Sequence, residues 1–429
     1  MVELNYQSGF GNQFDTEAEP GVLPVGQNSP QQVKGGLYTE QLTGTAFTAP
    51  RASMQRSWLY RIRPSVRHFT NLEPVDSGLI RTGPDQDASP TTTQLRWDPF
   101  PSISSDTNWL TGLSTVATNG NSEMQAGGAV HHFVASQSMG DTAFVNTDGE
   151  LMLVPYIGHL LIRTEMGHLE LMPGEIAVIP RGVKFSVDLT AGTARGYVCE
   201  NYGAAFSLPE HGLVGVDANA LPRDFEYPVA TYDQDDYPTK LVAKISGKLF
   251  ANELRHSPFD VVAWHGNLAP YRYELRRFCA LGPVVFDHPD PSIWTVLSSP
   301  SDTPGTANLD FILFREHWRV AEHTFRPPWF HSNVMSELMG LIEGIYDAKA
   351  EGFLPGGISI HNSFIPHGPD SEAFTAATNA ELVPVKGPDS LAIMWESRYR
   401  WVPTSWAMGL SELQVDYSER WSQLDSQWH

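Results

Sequence analysis

Short apolar runs rich in Val, Ile, Leu, Phe and Tyr recur along the chain and are cut at close intervals by Gly and Pro, the pattern of strands joined by turns. Residues 142–154 are typical. Ala143-Phe144-Val145 and Leu151-Met152-Leu153-Val154 flank Asn146-Thr147-Asp148-Gly149, whose Asp-Gly step predicts a hairpin. Helical periodicity is sparse, and Ala373–Ala380 and Ser411–Leu424 are its best candidates. The chain therefore reads as mainly β, and a doubly wound α/β sheet is disfavoured.

A second pattern runs through residues 167–187. His168-Leu169-Glu170-Leu171 leads into Pro173-Gly174-Glu175, and Ile176-Ala177-Val178-Ile179 into Pro180-Arg181-Gly182, two turns in quick succession. They resemble the turns of cupin barrels. Cupin metal sites place a His shortly after the second turn, but Val183, Lys184 and Phe185 stand here, so residues 150–200 read as a metal-free cupin-like segment. The expected layout is a β-sandwich or cupin-like domain over 1–280 and a cupin-like β-barrel over 281–429, with the boundary near 270–285.

Composition narrows the partners. A net charge of -21 repels phosphate backbones and anionic membrane surfaces, which argues against nucleic acid and membranes. An anionic substrate would need a local cation or metal to reverse the sign at its site. Two cysteines, Cys199 and Cys279, make no disulfide framework, and no apolar run approaches the length of a spanning helix, so the expectation is a cytoplasmic protein.

Six of the 15 histidines (His288, His317, His323, His331, His361 and His367) fall within residues 288–367. Around Phe325–Glu337, His331 and Glu337 stand six residues apart. Extended chain would separate them by ~20 Å, and helix by ~9 Å on different faces. If both bind one metal, the chain doubles back between them, and Ser332-Asn333 accept such a turn. Glu337, among Met335, Leu338 and Met339, would be an expensive buried carboxylate unless paired. A third donor lies in Ile360–Asp370, where His361 and His367 both qualify. Two imidazoles and a carboxylate on one face of iron(II) leave positions for a bidentate substrate and dioxygen. A zinc enzyme uses a similar set, and spacing alone does not separate the two.

The stretch Phe325–Asp370, with Ser8-Gly9-Phe10-Gly11-Asn12, residues 24–30, Gly36-Leu37-Tyr38, residues 57–65 and residues 259–267, resembles the homogentisate 1,2-dioxygenase family. These landmarks span nearly the whole chain. The resemblance implies an iron(II) site on His331, Glu337 and His367, His288 as acid/base group, Tyr346 at the substrate, and a homohexamer of two trimers. His367 would face the substrate as well; Asn333 and His361 are expected to line the pocket. His131, His132, His317 and His323 read as structural. The implied reaction opens the ring of homogentisate with dioxygen to give maleylacetoacetate in tyrosine and phenylalanine breakdown, His288 taking the phenol proton, with no organic cofactor. Alternatives are a dioxygenase of a related hydroxylated aromatic acid, a zinc-dependent cupin hydrolase or isomerase, and a binding or storage protein. The last needs no ligand triad.

Overall fold

The computed structural model describes residues 4–85, 88–89, 91–101, 106–209, 219–288, 290, 294–346, 352–387 and 389–429. Among them the chain is mainly β, as the turn-punctuated apolar runs predict: a 14-stranded sheet, a six-stranded sheet and two smaller ones, with helix confined to short pieces. The large sheet is built on the antiparallel pair Glu150–Thr164 and Lys184–Asn201. Register shifts between Pro155 and Leu160, where Pro155 has no N–H to give and Gly158 takes φ 88°, break the ladder there, and such bulges bend a strand.

Both cupin-like turns lie where the residues place them. Gly167–Leu171 and Glu175–Ile179 pair with successive stretches of Glu150–Thr164, and the Pro173-Gly174 turn shifts the chain between them. Gly174 has φ 91°, and the Glu175 carboxylate accepts from the Met172 N–H at 2.9 Å. Beyond the second turn Lys184 is buried against Glu165 at 3.1 Å, an ion pair where a metal-binding cupin would carry imidazole.

Two local expectations fail. Thr142–Asn146 and Glu150–Thr164 do not pair with each other; both flank Lys184–Asn201. The Asp148 side chain is committed elsewhere, accepting from the N–H groups of Ser246 and Gly247 at 2.7 and 2.8 Å. Those two residues, with φ 51° and 74°, make the tight hairpin that joins Thr239–Ile245 to Lys248–Leu254. The expected helix over Ser411–Leu424 is also absent apart from a 3-10 turn at Tyr417–Trp421. The tail is held instead by bonds to the Leu95–Trp97 strand: Gln414 N–H donates to the Arg96 carbonyl, and Asp98 N–H to Glu412. The Ala373–Ala380 expectation is met by a helix at Ser371–Thr378, which Asp370 caps through the Ala373 N–H at 2.8 Å.

The six-stranded sheet runs in the order Thr295–Pro300, Ala307–Arg315, Leu391–Ser397, Ser336–Glu343, Ile358–His361 and Leu95–Trp97. Its last strand comes from the N-terminal half. In return, Val402–Pro403 pairs with Leu113–Asn121 of the large sheet. Tyr197 of the large sheet donates to the Leu341 and Gly357 carbonyls of the other, and lies over Gly340, where any Cβ would press on its ring at 3.0 Å. One hydrophobic core is continuous across both sheets.

Candidate metal centre

Cross-strand register sets the site. Asp310 stands opposite Glu396, Glu396 opposite Glu337, and Glu337 opposite His361, one row across four neighbouring strands of the six-stranded sheet. The chain then doubles back ahead of Glu337. Asn333 Oδ1 accepts from the Met335 N–H at 2.6 Å, closing the turn that a shared metal would require between His331 and Glu337. His331 thereby lies beside His367, and their backbones exchange two hydrogen bonds of 2.9 and 3.0 Å.

The two imidazoles are oriented alike. His331 Nδ1 meets the Trp329 carbonyl at 2.8 Å and His367 Nδ1 the Ile365 carbonyl at 3.0 Å. A carbonyl only accepts, so each Nδ1 carries the proton and each Nε2 keeps its lone pair. Both Nε2 atoms turn to Glu337, at 3.6 Å from His331 and 3.1 Å from His367, and one donor atom from each of the three residues lies within 4.8 Å of the others. With both imidazoles neutral, lone pairs and a carboxylate converge with no hydrogen to share, so either a proton or a cation must sit between them. As a cation site, an N2O set of this kind fits iron(II) or zinc. Burial pushes the Glu337 carboxyl up, but hydrogen bonds from His331, His361 and His367 override it and hold it well below the usual range. The bond to Glu337 lifts His331 above its ordinary value against the opposing effect of burial.

His361 is placed differently. Its Nδ1 lies 3.4 Å from Glu337 Oε2 and its Nε2 3.3 Å from the Tyr417 hydroxyl, so both nitrogens are engaged, and the ring stacks on His367 at 4.5 Å. Asn333 Nδ2 donates to Glu337 Oε1 at 3.4 Å.

Three cavities meet here. One of about 60 Å³ touches His331, Glu337, His361, His367 and Tyr346. A second, about 80 Å³, shares Phe314, Pro328 and Tyr346 with it and adds His288, His317, Arg315, Arg319 and Arg326. Arg326 donates to the carbonyls of Ala321 and Val383. In a chain of net charge -21 this lining is locally basic. The third, about 470 Å³, holds His288, His331, Asn333, Glu337, Asp310 and Glu396. His288 thus faces both flanking cavities, with its ring 5.3 Å from that of Trp329. Tyr346 packs on Phe314; its neighbour Asp347, like Pro289 beside His288, lies outside the described residues.

Of the histidines read as structural, His131 bonds Thr115 and lies 3.4 Å from Glu200, and His132 bonds Tyr156, all within the large sheet. His317, in contrast, lines the basic cavity against Trp294. Asp310 and Glu396 escaped sequence reasoning. Their signal was a carboxylate at an alternate position in an otherwise apolar strand, too common to single out. Burial, then Glu337 and Asp310, push Glu396 up to about 8, and burial pushes Asp310 up to about 6.

The family model described as homogentisate 1,2-dioxygenase N-terminal matches residues 5–275, and that described as homogentisate 1,2-dioxygenase C-terminal matches residues 276–428. The homogentisate 1,2-dioxygenase of Rhodopseudomonas palustris (strain BisB18) is 56% identical over 423 residues, covering 99% of this chain and 94% of that protein. That of Bradyrhizobium diazoefficiens is 54% identical over 425 residues, 99% of this chain and 95% of its own. A cupin 2 conserved barrel domain protein from Leptotrichia buccalis aligns with 69% of this chain and 91% of its own length at 8% identity, with a TM-score of 0.29.

Proposed function

The chain belongs to the homogentisate 1,2-dioxygenase family, and from that membership we propose that His331, Glu337 and His367 hold an iron(II) ion at which homogentisate and dioxygen meet. The protein is a ring-cleaving dioxygenase of tyrosine breakdown. One observation carries the metal reading: two Nε2 lone pairs, oriented by backbone carbonyls at Nδ1, converge with a buried carboxylate. Iron(II) at such a triad supplies open positions for substrate and oxygen, and the redox capacity that zinc lacks.

The chain's own residues prepare the substrate. Homogentisate brings a carboxylate and a phenol, and the basic lining of Arg315, Arg319 and Arg326 offsets the acidic field of the whole molecule where that anion must enter. Tyr346, common to the basic cavity and the metal cavity, contacts the ring from one side. His288, facing both flanking cavities, accepts the phenol proton; the cavity walls of Phe314 and Pro328 exclude water around the ring. His367 borders the substrate as well as the metal, and Asn333 and His361 act on Glu337 from its two oxygens. Maleylacetoacetate is the product.

We read 1–280 and 281–429 as the two domains, clasped by the strands they exchange. Val284, Val285, Phe286, Trp318, Trp329, Phe330 and Ile345 leave large apolar surface exposed, which fits burial in a homohexamer. A cytoplasmic location agrees with two free cysteines. No helix among the described residues is long and apolar enough to cross a membrane.

The test is anaerobic loading with iron(II), then oxygen uptake with homogentisate alongside absorbance of the conjugated product. Oxygen and homogentisate should disappear one to one, and Glu337→Ala should consume neither. Turnover supported by zinc and not by iron would overturn the metal assignment.

A further inference from the structure

Arg96 is fully buried, yet it has no carboxylate partner among the described residues. Its Nε donates to Gln414 Oε1 at 2.6 Å, while Nη1 and Nη2 meet no acceptor. Burial outweighs Asp98 and Asp370, which favour its charge without pairing with it, and a buried cation so weakly compensated is costly, so something must hold it there. Gln414 does so from the tail, its amide also donating to Asp98 and to the Gly352 carbonyl. Gly352 leaves the room: a Cβ there would stand 2.8 Å from Arg96 Nη2.

The guanidinium lies 4.3 Å over the ring of Tyr417, a cation–π contact inside the protein. Burial keeps the Tyr417 phenol protonated, its pKa pushed well above the usual value. Its hydroxyl is therefore a donor, and His361 Nε2 is 3.3 Å away. On the other side of the same ring, Glu337 is an ionised acceptor, so His361 Nδ1 carries the hydrogen between them. The hydrogens point one way, from Tyr417 to His361 to Glu337, and a positive charge over the phenol strengthens its donation.

We propose that Arg96, Tyr417 and His361 form a positioning relay that holds the Glu337 carboxylate in ligand geometry, making metal affinity depend on a cation supplied by the N-terminal half. It rests on the triad being a metal site. The relay fixes the His361 tautomer and occupies both its nitrogens, leaving His331 and His367 as the imidazoles available for ligation. Groups behind metal ligands commonly govern affinity in this way.

The experiment titrates the metal-free full-length protein with cobalt(II) against a competing chelator, recording the cobalt d–d spectrum and the Tm before metal is added. Tyr417→Phe should weaken cobalt binding about 10–100-fold and shift the spectrum, with the metal-free Tm near wild type. Arg96→Met should weaken it similarly, and Arg96→Lys, keeping the charge, should recover part of the loss. Wild-type affinity and spectrum in folded Tyr417→Phe would overturn the relay. Wild-type affinity in Arg96→Met would overturn its dependence on the cation. Failure of the metal reading looks different: wild type takes up no cobalt, or Glu337→Ala binds it as tightly.

Discussion

Where the four-stranded sheet containing Arg56–Arg61 meets the large one, Arg61 is fully buried with Glu40, Glu165 and Asp260 at 2.8–3.1 Å; in the large sheet itself Lys244 is buried with Asp148 and Glu200 at 2.7–2.8 Å. In the six-stranded sheet, Asp310, Glu396 and Glu337 stand side by side across the strands, and no lysine or arginine pairs with any of them among the described residues. Both regions are β, and both bury charge. The first satisfies its charges internally, as a structural core must. The second leaves a row of carboxyls that no paired cation closes, stable as a site only with protons or a metal to complete it. Pairing separates a structural cluster from a functional one where burial does not.

Removing charge from the two regions should therefore shift stability in opposite directions. The largest effect is expected at Arg61→Met, which leaves Asp260 in the core without a cation and Glu165 with Lys184 alone, and should lower the unfolding free energy by about 3–5 kcal/mol, read from urea denaturation. A loss near zero would mean that water reaches this cluster, and the contrast would lapse.

Glu396→Gln should do the reverse in the metal-free protein. Burial and the neighbouring Glu337 and Asp310 raise its folded pKa to about 8 from a usual 4.5. Below the unfolded value both states hold the proton and nothing is gained. As pH rises towards 8 the unfolded chain releases a proton that the folded one keeps, so wild-type stability falls through this window and stays low above it. The variant should thus match wild type near pH 4 and exceed it by about 2–3 kcal/mol at pH 8.5 in denaturant titrations. Cobalt(II) should shrink that gap, because a cation at the triad favours the ionised carboxylate.

How much of this contrast was legible in the sequence depends on distance along the chain. Strand-and-turn alternation gave the mainly β architecture and both cupin-like turns, because each turn is decided within a few residues, as at Gly174 and Gly182. Donor types and the reversal between His331 and Glu337 were readable for the same reason. The proposed choice of His367 over His361 was not: it rests on Tyr417, 56 residues beyond His361, which engages the second nitrogen of that ring. The 142–154 hairpin was misread because Asp148 serves a turn nearly a hundred residues away. Residues 411–424 have a helical pattern, but their backbone is used to hold Leu95–Trp97, a strand that local periodicity assigns to the other half.

The smallest expected effect tests whether pairing or burial sets the scale among the structural ion pairs. Arg163 donates to Asp188 at 2.7 Å, a bond as short as those of Lys244, but the two side chains keep 17% and 23% of their surface exposed. Solvent screens such a pair and hydrates whichever partner is left behind. Arg163→Met should therefore lower stability by about 1 kcal/mol or less in the same urea titration, and the loss should diminish in high salt. Geometry alone would predict losses like that at Arg61. A loss of that size at Arg163 would show that the ion pairs act as one network across the two sheets, and the distinction between closed and solvent-open clusters would have to be redrawn around connectivity.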